Sequence, residues 1–123
     1  MKYGIVEHSL ETEKFKIGFE YKIADVKYWD EIFVVLLSIP NKVDEIDNIY
    51  GVSVDGDIIW RIENPIKAFK ITIQEQGYSY YRMSVYVDIQ LNRGVFTGTT
   101  FFGVKYTFNH KTGKLLTKKV GRW

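Results

Sequence analysis

The residue types best suited to molecular recognition lie on one predicted strand in the second half of the chain. Tyr80, Arg82 and Tyr86 alternate with apolar residues in the segment 81–91, so we expect them to share the polar, outward face of that strand. Tyr and Arg are enriched at the energetic centres of protein interfaces. These side chains form a candidate surface for a protein partner. The competing interpretation is ordinary cross-strand packing of aromatic rings on the outer face.

Groups that could perform acid–base or metal chemistry are few and scattered. His8 lies near the N-terminus and His110 in a predicted turn. Neither has an activating neighbour in the sequence, so we expect both to be exposed to solvent. The acidic residues between positions 44 and 57 lack the ligand spacing of a calcium loop, and the absence of cysteine excludes thiolate chemistry. The sequence therefore predicts no enzymatic activity, no metal site and no cofactor.

Charge is unevenly divided between the two halves of the chain. Residues 1–62 carry 7 basic and 12 acidic side chains, whereas residues 63–123 carry 10 and 3. Such asymmetry can mark a nucleic-acid-binding surface. However, alternation divides Lys114, Lys118 and Lys119 between both faces of the last strand. Pairing of basic C-terminal strands with acidic N-terminal strands is the favoured interpretation, and tight nucleic-acid binding is not expected.

The composition is typical of one β-rich domain spanning residues 1–123. The length is close to the commonest domain size, and an aromatic fraction of 16% favours strands. The longest apolar run, Ile32 to Leu37, is too short to span a membrane, and no signal peptide is evident, so we expect a cytoplasmic protein. We predict an all-β or β-dominated α+β fold, an antiparallel sandwich or partly open barrel of about seven strands.

Period-two alternation indicates most of the strands. It extends over residues 81–91 and again over 17–23, while the nearly continuous apolar run 32–39 predicts a strand buried on both faces or central in a sandwich. Ser9 to Phe15 is predicted as a short helix with Ser9 as its N-cap. Residues 66–76 fit a helix or a strand equally well, and a helical turn leading into a strand is favoured.

Two hairpins complete the predicted elements. Asp55-Gly56 accepts the positive φ angles of a tight turn, and six apolar side chains of its arms, between positions 50 and 62, are predicted to share one face. The second hairpin joins 96–108 to 114–120, with glycines that indicate a bulge or a bend from one sheet to another. The predicted core comprises Phe19, Tyr21, Val34, Leu36, Val52, Trp60, Val85, Val87, Phe102 and Tyr106.

The first hairpin, with the run NIYGVSVDGDIIW inside residues 48–63, resembles the inner hairpin of a quinoprotein-type propeller blade. This resemblance implies a hairpin geometry and no quinone cofactor. The whole chain is also similar in size and pattern to small uncharacterised bacterial β proteins, some of which are immunity proteins or inhibitors. The small size, the strong core pattern and the absence of a catalytic constellation favour a non-enzymatic protein-binding module, of which an immunity or inhibitor protein would be one form. The alternative is a β-barrel or sandwich that binds a small ligand. A homo-oligomer is also compatible with the sequence.

Overall fold

The described part of the polypeptide reverses direction every few residues and forms only extended elements. A computed structural model describes residues 2–40, 43, 46–64, 85–101 and 103–120. Those residues form eleven strands, all antiparallel, in three sheets, and contain no helix. Accordingly, no helix in these ranges is long and apolar enough to cross a membrane. The all-β prediction is confirmed in its sandwich form. The strands are more numerous than the seven expected, and the described sheets do not close into a barrel.

Each sheet is a meander in which consecutive strands lie side by side. Sheet A contains β1 (Gly4–Val6), β2 (Ser9–Glu11) and β3 (Lys16–Gly18). Sheet B contains β4 (Ile23–Trp29), β5 (Ile32–Leu37), β6 (Ile49–Ser53) and β7 (Ile58–Arg61). Sheet C contains β8 (Tyr86–Asn92), β9 (Val95–Thr100), β10 (Val104–Asn109) and β11 (Leu115–Val120).

Sheet B forms the middle layer because its strand β5 is buried on both faces, as the continuous apolar run predicts. Alternate β5 side chains belong to two different cores. The core shared with sheet C contains Val34, Leu36, Ile49, Trp60, Ile62, Tyr86, Ile89, Phe96, Tyr106 and Phe108. The core shared with sheet A contains Leu10, Val26, Phe33, Val35, Leu37 and Val52.

Stacked aromatic rings fill the core between sheets B and C. The Trp60 and Phe96 rings are stacked with centroids 5.4 Å apart, and Phe96 stacks on Phe108 at 5.2 Å. Trp60 lies directly on Gly51, where a Cβ atom would come within 2.1 Å of the indole ring. Trp60 Nε1 donates to the carbonyl oxygen of His110 at 2.9 Å, which satisfies the buried indole N–H. The sequence therefore needs a residue without a side chain at position 51.

One buried side chain joins sheets B and C by hydrogen bonds. Asn48 is 1% exposed. Its Nδ2 donates to the carbonyl oxygens of Leu37 and Tyr86, at 2.7 and 2.9 Å. Its Oδ1 accepts a hydrogen bond from the Tyr86 N–H at 3.0 Å. The amide thus satisfies backbone groups at the end of β5 and the start of β8, which would otherwise be buried without partners.

The hairpin β6–β7 forms where it was predicted, but its apolar side chains do not share one face. Gly51 pairs with Trp60, and Tyr50 pairs with Arg61. Residues directly opposite each other point to the same side of a sheet, so Trp60 faces sheet C while Tyr50 faces sheet A. The turn itself is closed by a hydrogen bond from the Gly56 N–H to the Ser53 oxygen, with Gly56 at a φ of 90°.

Two predictions for the N-terminal region are wrong. Residues 9–15 form no helix, because Ser9 to Glu11 pair with β1 on one side and β3 on the other. The following residues turn instead, and the Thr12 hydroxyl accepts the N–H groups of Lys14 and Phe15. The single strand predicted over 17–23 is divided, because β3 ends at Gly18 and β4 of the next sheet begins at Ile23.

The glycine-containing stretch near residue 100 is a reversal rather than a bend between sheets. The Gly103 N–H donates to the Thr100 oxygen, and Gly103 has a φ of 89°. Both β9 and β10 stay in sheet C and pair with each other. The predicted crossing to another sheet is therefore wrong. Residues 66–76, whose sequence fits a helix or a strand equally well, lie outside the described residues.

Five of the ten predicted core residues are buried as expected. The buried members are Val34, Leu36, Val52, Trp60 and Tyr106. Phe19, Tyr21 and Val85 are half-buried. Val87 is the exception, since its side chain is 52% exposed, and Phe102 lies outside the described residues.

Candidate functional site

The predicted partner surface is not assembled by the described part of the structure. Tyr80 and Arg82 lie outside the described residues. Tyr86 is 3% exposed and belongs to the core between sheets B and C. Its ring makes edge-on contacts with Tyr106 and Phe108. The prediction that Tyr86 contributes to an exposed surface is therefore wrong.

The reason is a β-bulge at the start of β8. Tyr86 pairs with Thr100 and Asp88 pairs with Thr99, so that Val87 is an extra residue in the ladder. A bulge of this kind reverses the inward and outward alternation on one side of it. The bulge turns Tyr86 into the core and Val87 toward solvent. The period-two pattern of residue types does not reveal such an extra residue.

Three hairpin turns meet at one end of the sandwich and form the best candidate site. The turns are Asp30-Glu31 between β4 and β5, Arg93-Gly94 between β8 and β9, and residues 110–114 between β10 and β11. A Cβ atom at Gly94 would lie 3.4 Å from His110 Nδ1 and 4.0 Å from Trp29 Nε1, so the turns touch one another. We call the exposed residues Trp29, Asp30, Arg93 and Lys111 the turn surface.

Two of these turns hold the backbone in an unusual conformation. Asp30 and Glu31 have φ values of 45° and 67°, and Arg93 and Gly94 have 48° and 86°. Positive φ at both central residues is the requirement of the tight two-residue turns that match the twist of a hairpin. At Asp30, Glu31 and Arg93 the conformation is adopted without glycine, which is energetically unfavourable. The flanking strands, which pair up to Trp29 opposite Ile32, impose this geometry.

His110 lies beneath the turn surface rather than in solvent. It is 2% exposed, so the expected exposure is wrong for this residue, whereas His8 is exposed as predicted. The Gly94 carbonyl oxygen accepts from the His110 backbone N–H at 3.0 Å and lies 2.9 Å from Nδ1. A carbonyl partner requires the proton on Nδ1. The imidazole therefore ties two turns together beneath the turn surface.

The rim of the turn surface carries opposite charges around an aromatic ring. Trp29 is 43% exposed, and Lys111 Nζ lies 3.7 Å from Asp30 Oδ2. Both charged side chains are more than half exposed, so this pair contributes at most about 1 kcal/mol. The Asn109 carboxamide oxygen accepts the N–H groups of Lys111 and Thr112, which fixes the third turn. Trp29 thus lies on a surface that carries charges of both signs.

The remaining candidates for chemistry have structural or solvent-exposed positions. Within the described residues, no three His, Asp or Glu side chains are arranged to hold a metal ion. Asp47 accepts a hydrogen bond from Asn64 through Oδ2 and from Arg61 through its backbone oxygen. Asp55 and Asp57 are exposed in the β6–β7 turn. The acids at positions 44 and 45 lie outside the described residues.

Sequence reasoning missed the turn surface because two of its turns lack the usual signals. A tight hairpin turn is recognised by Asn-Gly or Asp-Gly, and Asp30-Glu31 has no glycine. The available signal was the position of Trp29, a large aromatic residue directly before an acidic pair at a strand end. The contact of this turn with Gly94 and His110 depends on long-range pairing.

Comparisons with known proteins identify a family and a fold. No curated protein matches the chain. Among solved structures, the chain is similar to the computationally designed Ika8 protein, with a TM-score of 0.57 and 10% sequence identity. The similarity covers 98% of this chain but spans only 36% of the designed chain, and at this identity it shows the fold alone. The family model described as "Domain of unknown function (DUF7957)" matches residues 1–120, and the chain belongs to that family.

Proposed function

We propose that this protein is a non-enzymatic protein-binding module that contacts its partner through the turn surface. The observation that carries the proposal is Trp29, a 43% exposed tryptophan on a turn with fixed backbone geometry. Trp and Arg are the residues most enriched at binding hot spots, and both Trp29 and Arg93 belong to the turn surface. An immunity-like or inhibitor-like role would be a finer form of this function. The likeness of residues 48–63 to a propeller-type hairpin concerns geometry alone.

The arrangement of charge also supports a protein partner. Asp30 and Lys111 form the exposed ion pair beside Trp29, and interfaces commonly surround a central aromatic anchor with a polar rim. A nucleic-acid surface would need basic side chains free to meet phosphates. Here the lysine of the turn surface, Lys111, already has the Asp30 carboxylate beside it. The turn surface therefore suits a polypeptide better than a polyanion.

Small-ligand binding, the alternative, has weaker support. Two depressions lined by described residues have volumes of about 160 and 260 Å³. Ligand pockets usually enclose about 300–1,000 Å³. The smaller depression is lined mainly by apolar residues of β5 and β8, and the larger by polar residues near the β2–β3 connection. Neither combines a large apolar volume with convergent polar groups.

A capture experiment with matched variants tests the proposal. The immobilised protein is incubated with lysate of its source cells, and retained proteins are quantified by mass spectrometry. Trp29→Ala should lose specific partners that the parent retains. Phe101→Ala removes another exposed aromatic ring, 66% exposed and outside the turn surface, and should retain them. Equal retention by all three proteins would contradict the proposal.

The predicted residues Tyr80 and Arg82 are tested in the same experiment. A double variant, Tyr80→Ala with Arg82→Ala, removes two side chains of the surface that the sequence pattern predicts. If this variant alone lost the partners, the protein would still be a binding module, but its contact surface would lie on the predicted strand rather than at the turns. Loss with Trp29→Ala alone supports the turn surface.

A further inference from the structure

Among the residues that the structure describes, sheet A ends in an unpaired, uncharged edge strand, β1. Ile5 is 43% exposed and Val6 is 53% exposed, and β1 contains no charged residue. Natural edge strands are usually protected against pairing by charged side chains, proline, bulges or a cover. Within the described part of the chain, β1 has none of these protections except its short length. An apolar edge of this kind is a template for another strand.

The hydrogen-bonding direction of β1 follows from its pairing. Val6 and Ser9 flank a two-residue turn, and such a turn closes on a hydrogen-bonded pair. The Phe19 N–H donates to the His8 oxygen, so the backbone hydrogen-bonding groups of His8 point toward β3. The backbone N–H and C=O groups of the next residue, Ser9, therefore point toward β1. By alternation, Gly4 and Val6 bond to β2. Tyr3 and Ile5 direct their N–H and C=O groups outward.

These outward groups have no backbone partner among the residues that the structure describes. At the next outward position, the Glu7 oxygen accepts the Ile23 N–H at 2.8 Å, which closes that end of the edge. The open part of the edge therefore extends over Tyr3, Gly4 and Ile5 only. A strand added here must be centred on Gly4 to use both open residues and to avoid Ile23.

Sheet B has a strand at the position that lies beyond β1 in sheet A. A Cβ atom at Gly56 would lie 2.7 Å from Phe15, so the β2–β3 connection and the β6–β7 turn lie at the same end of the molecule. When β2 and β3 are aligned with β6 and β7 in this way, β1 has the position in sheet A that β5 has in sheet B. Sheet B continues beyond β5 with β4, whereas sheet A, within the described residues, stops at β1. The architecture thus accommodates one more strand beside β1.

We propose that a second copy of this chain supplies that strand, with the two β1 strands pairing antiparallel about a two-fold axis at Gly4. Two-fold dimers are the commonest homo-oligomers, and their interface is self-complementary. Tyr3 of each copy then exchanges hydrogen bonds with Ile5 of the other, an aromatic and β-branched pair of the kind that stabilises sheets. Gly4 faces Gly4, and a Cβ atom there would meet nothing within 4 Å.

The pairing extends an existing core rather than creating a new one. The Tyr3 ring lies 5.3 Å from the Phe33 ring, and the Tyr3 hydroxyl donates to the Val26 oxygen. Ile5 shares its face with Leu10, because the two residues are paired. The contact is small and below the size of stable interfaces, so we expect a reversible dimer. Such a dimer would present the turn surface twice and increase avidity for a multivalent partner.

Sedimentation analysis across the micromolar to millimolar range tests the dimer. The parent should show reversible dimerisation, and Ile5→Lys should weaken it by about tenfold or more, a shift of about 1.4 kcal/mol, because the charge would be buried in the paired edge. Ile59→Lys is the matched control, since Ile59 is 44% exposed on the edge strand β7. A parent that stays monomeric throughout, or equal weakening by Ile59→Lys, would overturn the proposal.

A cysteine pair tests the same proposal and its register without relying on Ile5→Lys. The natural chain has no cysteine. Directly opposed residues that are not hydrogen-bonded have Cα atoms about 4.5 Å apart, within the range of a disulfide bond. Gly4→Cys should therefore oxidise rapidly to a covalent dimer. Gly18→Cys, on the opposite edge of sheet A, should react slowly. Equal rates would overturn the proposed pairing.

Discussion

Asn48→Ala should be among the most destabilising single substitutions in the described part of the protein. The change removes the donor to the Leu37 and Tyr86 oxygens and the acceptor of the Tyr86 N–H. Leaving a buried polar group without a partner costs about 1–3 kcal/mol. For three groups that share one side chain we expect a combined loss of about 3–5 kcal/mol, a large part of the roughly 5–15 kcal/mol by which domains are stable.

Urea denaturation followed by circular dichroism measures this loss, and thermal melting should show a midpoint lower by about 10–20 °C. Asn48→Asp keeps the size of the side chain but removes its N–H donor, so it tests the hydrogen bonds separately from packing. It keeps the acceptor for the Tyr86 N–H but turns a carboxylate oxygen toward two carbonyl oxygens, so it should be at least as destabilising. Asn92→Ala, at the exposed end of β8, should change stability by less than about 0.5 kcal/mol. An Asn48→Ala protein within about 1 kcal/mol of the parent would refute the bridging role of Asn48.

Three further substitutions test the local geometry, each by equilibrium unfolding. Tyr86→Ala should lose about 3–5 kcal/mol, whereas the exposed Val87→Ala should be nearly neutral; the reverse order would mean that the β8 bulge is absent. Gly51→Ala should lose about 1–3 kcal/mol, because the new Cβ would lie 2.1 Å from the Trp60 ring, and an unchanged midpoint would show that the ring is elsewhere. Glu31→Gly should gain up to about 1 kcal/mol, because its φ is 67°, and a loss of stability would contradict the left-handed turn.

The features that sequence alone predicted are those that depend on local pattern. The apolar run of β5 and its burial on both faces follow from residue type, as does the hairpin around Gly56. The N-terminal helix was predicted from Ser9 as a cap, but pairing of β2 with two neighbours prevails over that weak local preference. Long-range contacts decide which local preference is realised.

The features that sequence alone missed depend on single insertions or on distant neighbours. One extra residue in β8 reverses the side to which Tyr86 points, and no periodic pattern encodes it. His110 is buried because the carbonyl oxygen of Gly94 approaches it from another turn and the indole of Trp60 approaches it from strand β7. The turn surface was missed for the same reason, since its residues are brought together only when sheets B and C pack.

The central claim, that the turn surface binds a protein partner, is tested most directly by affinity. The partner recovered in the capture experiment is titrated by calorimetry against the parent, Trp29→Ala and Phe101→Ala, after each variant is shown to melt like the parent. Loss of a hot-spot side chain of at least about 2 kcal/mol corresponds to roughly a thirtyfold weaker dissociation constant. We expect that loss for Trp29→Ala, with Phe101→Ala within about twofold of the parent. Parent-like affinity of Trp29→Ala would contradict the claim.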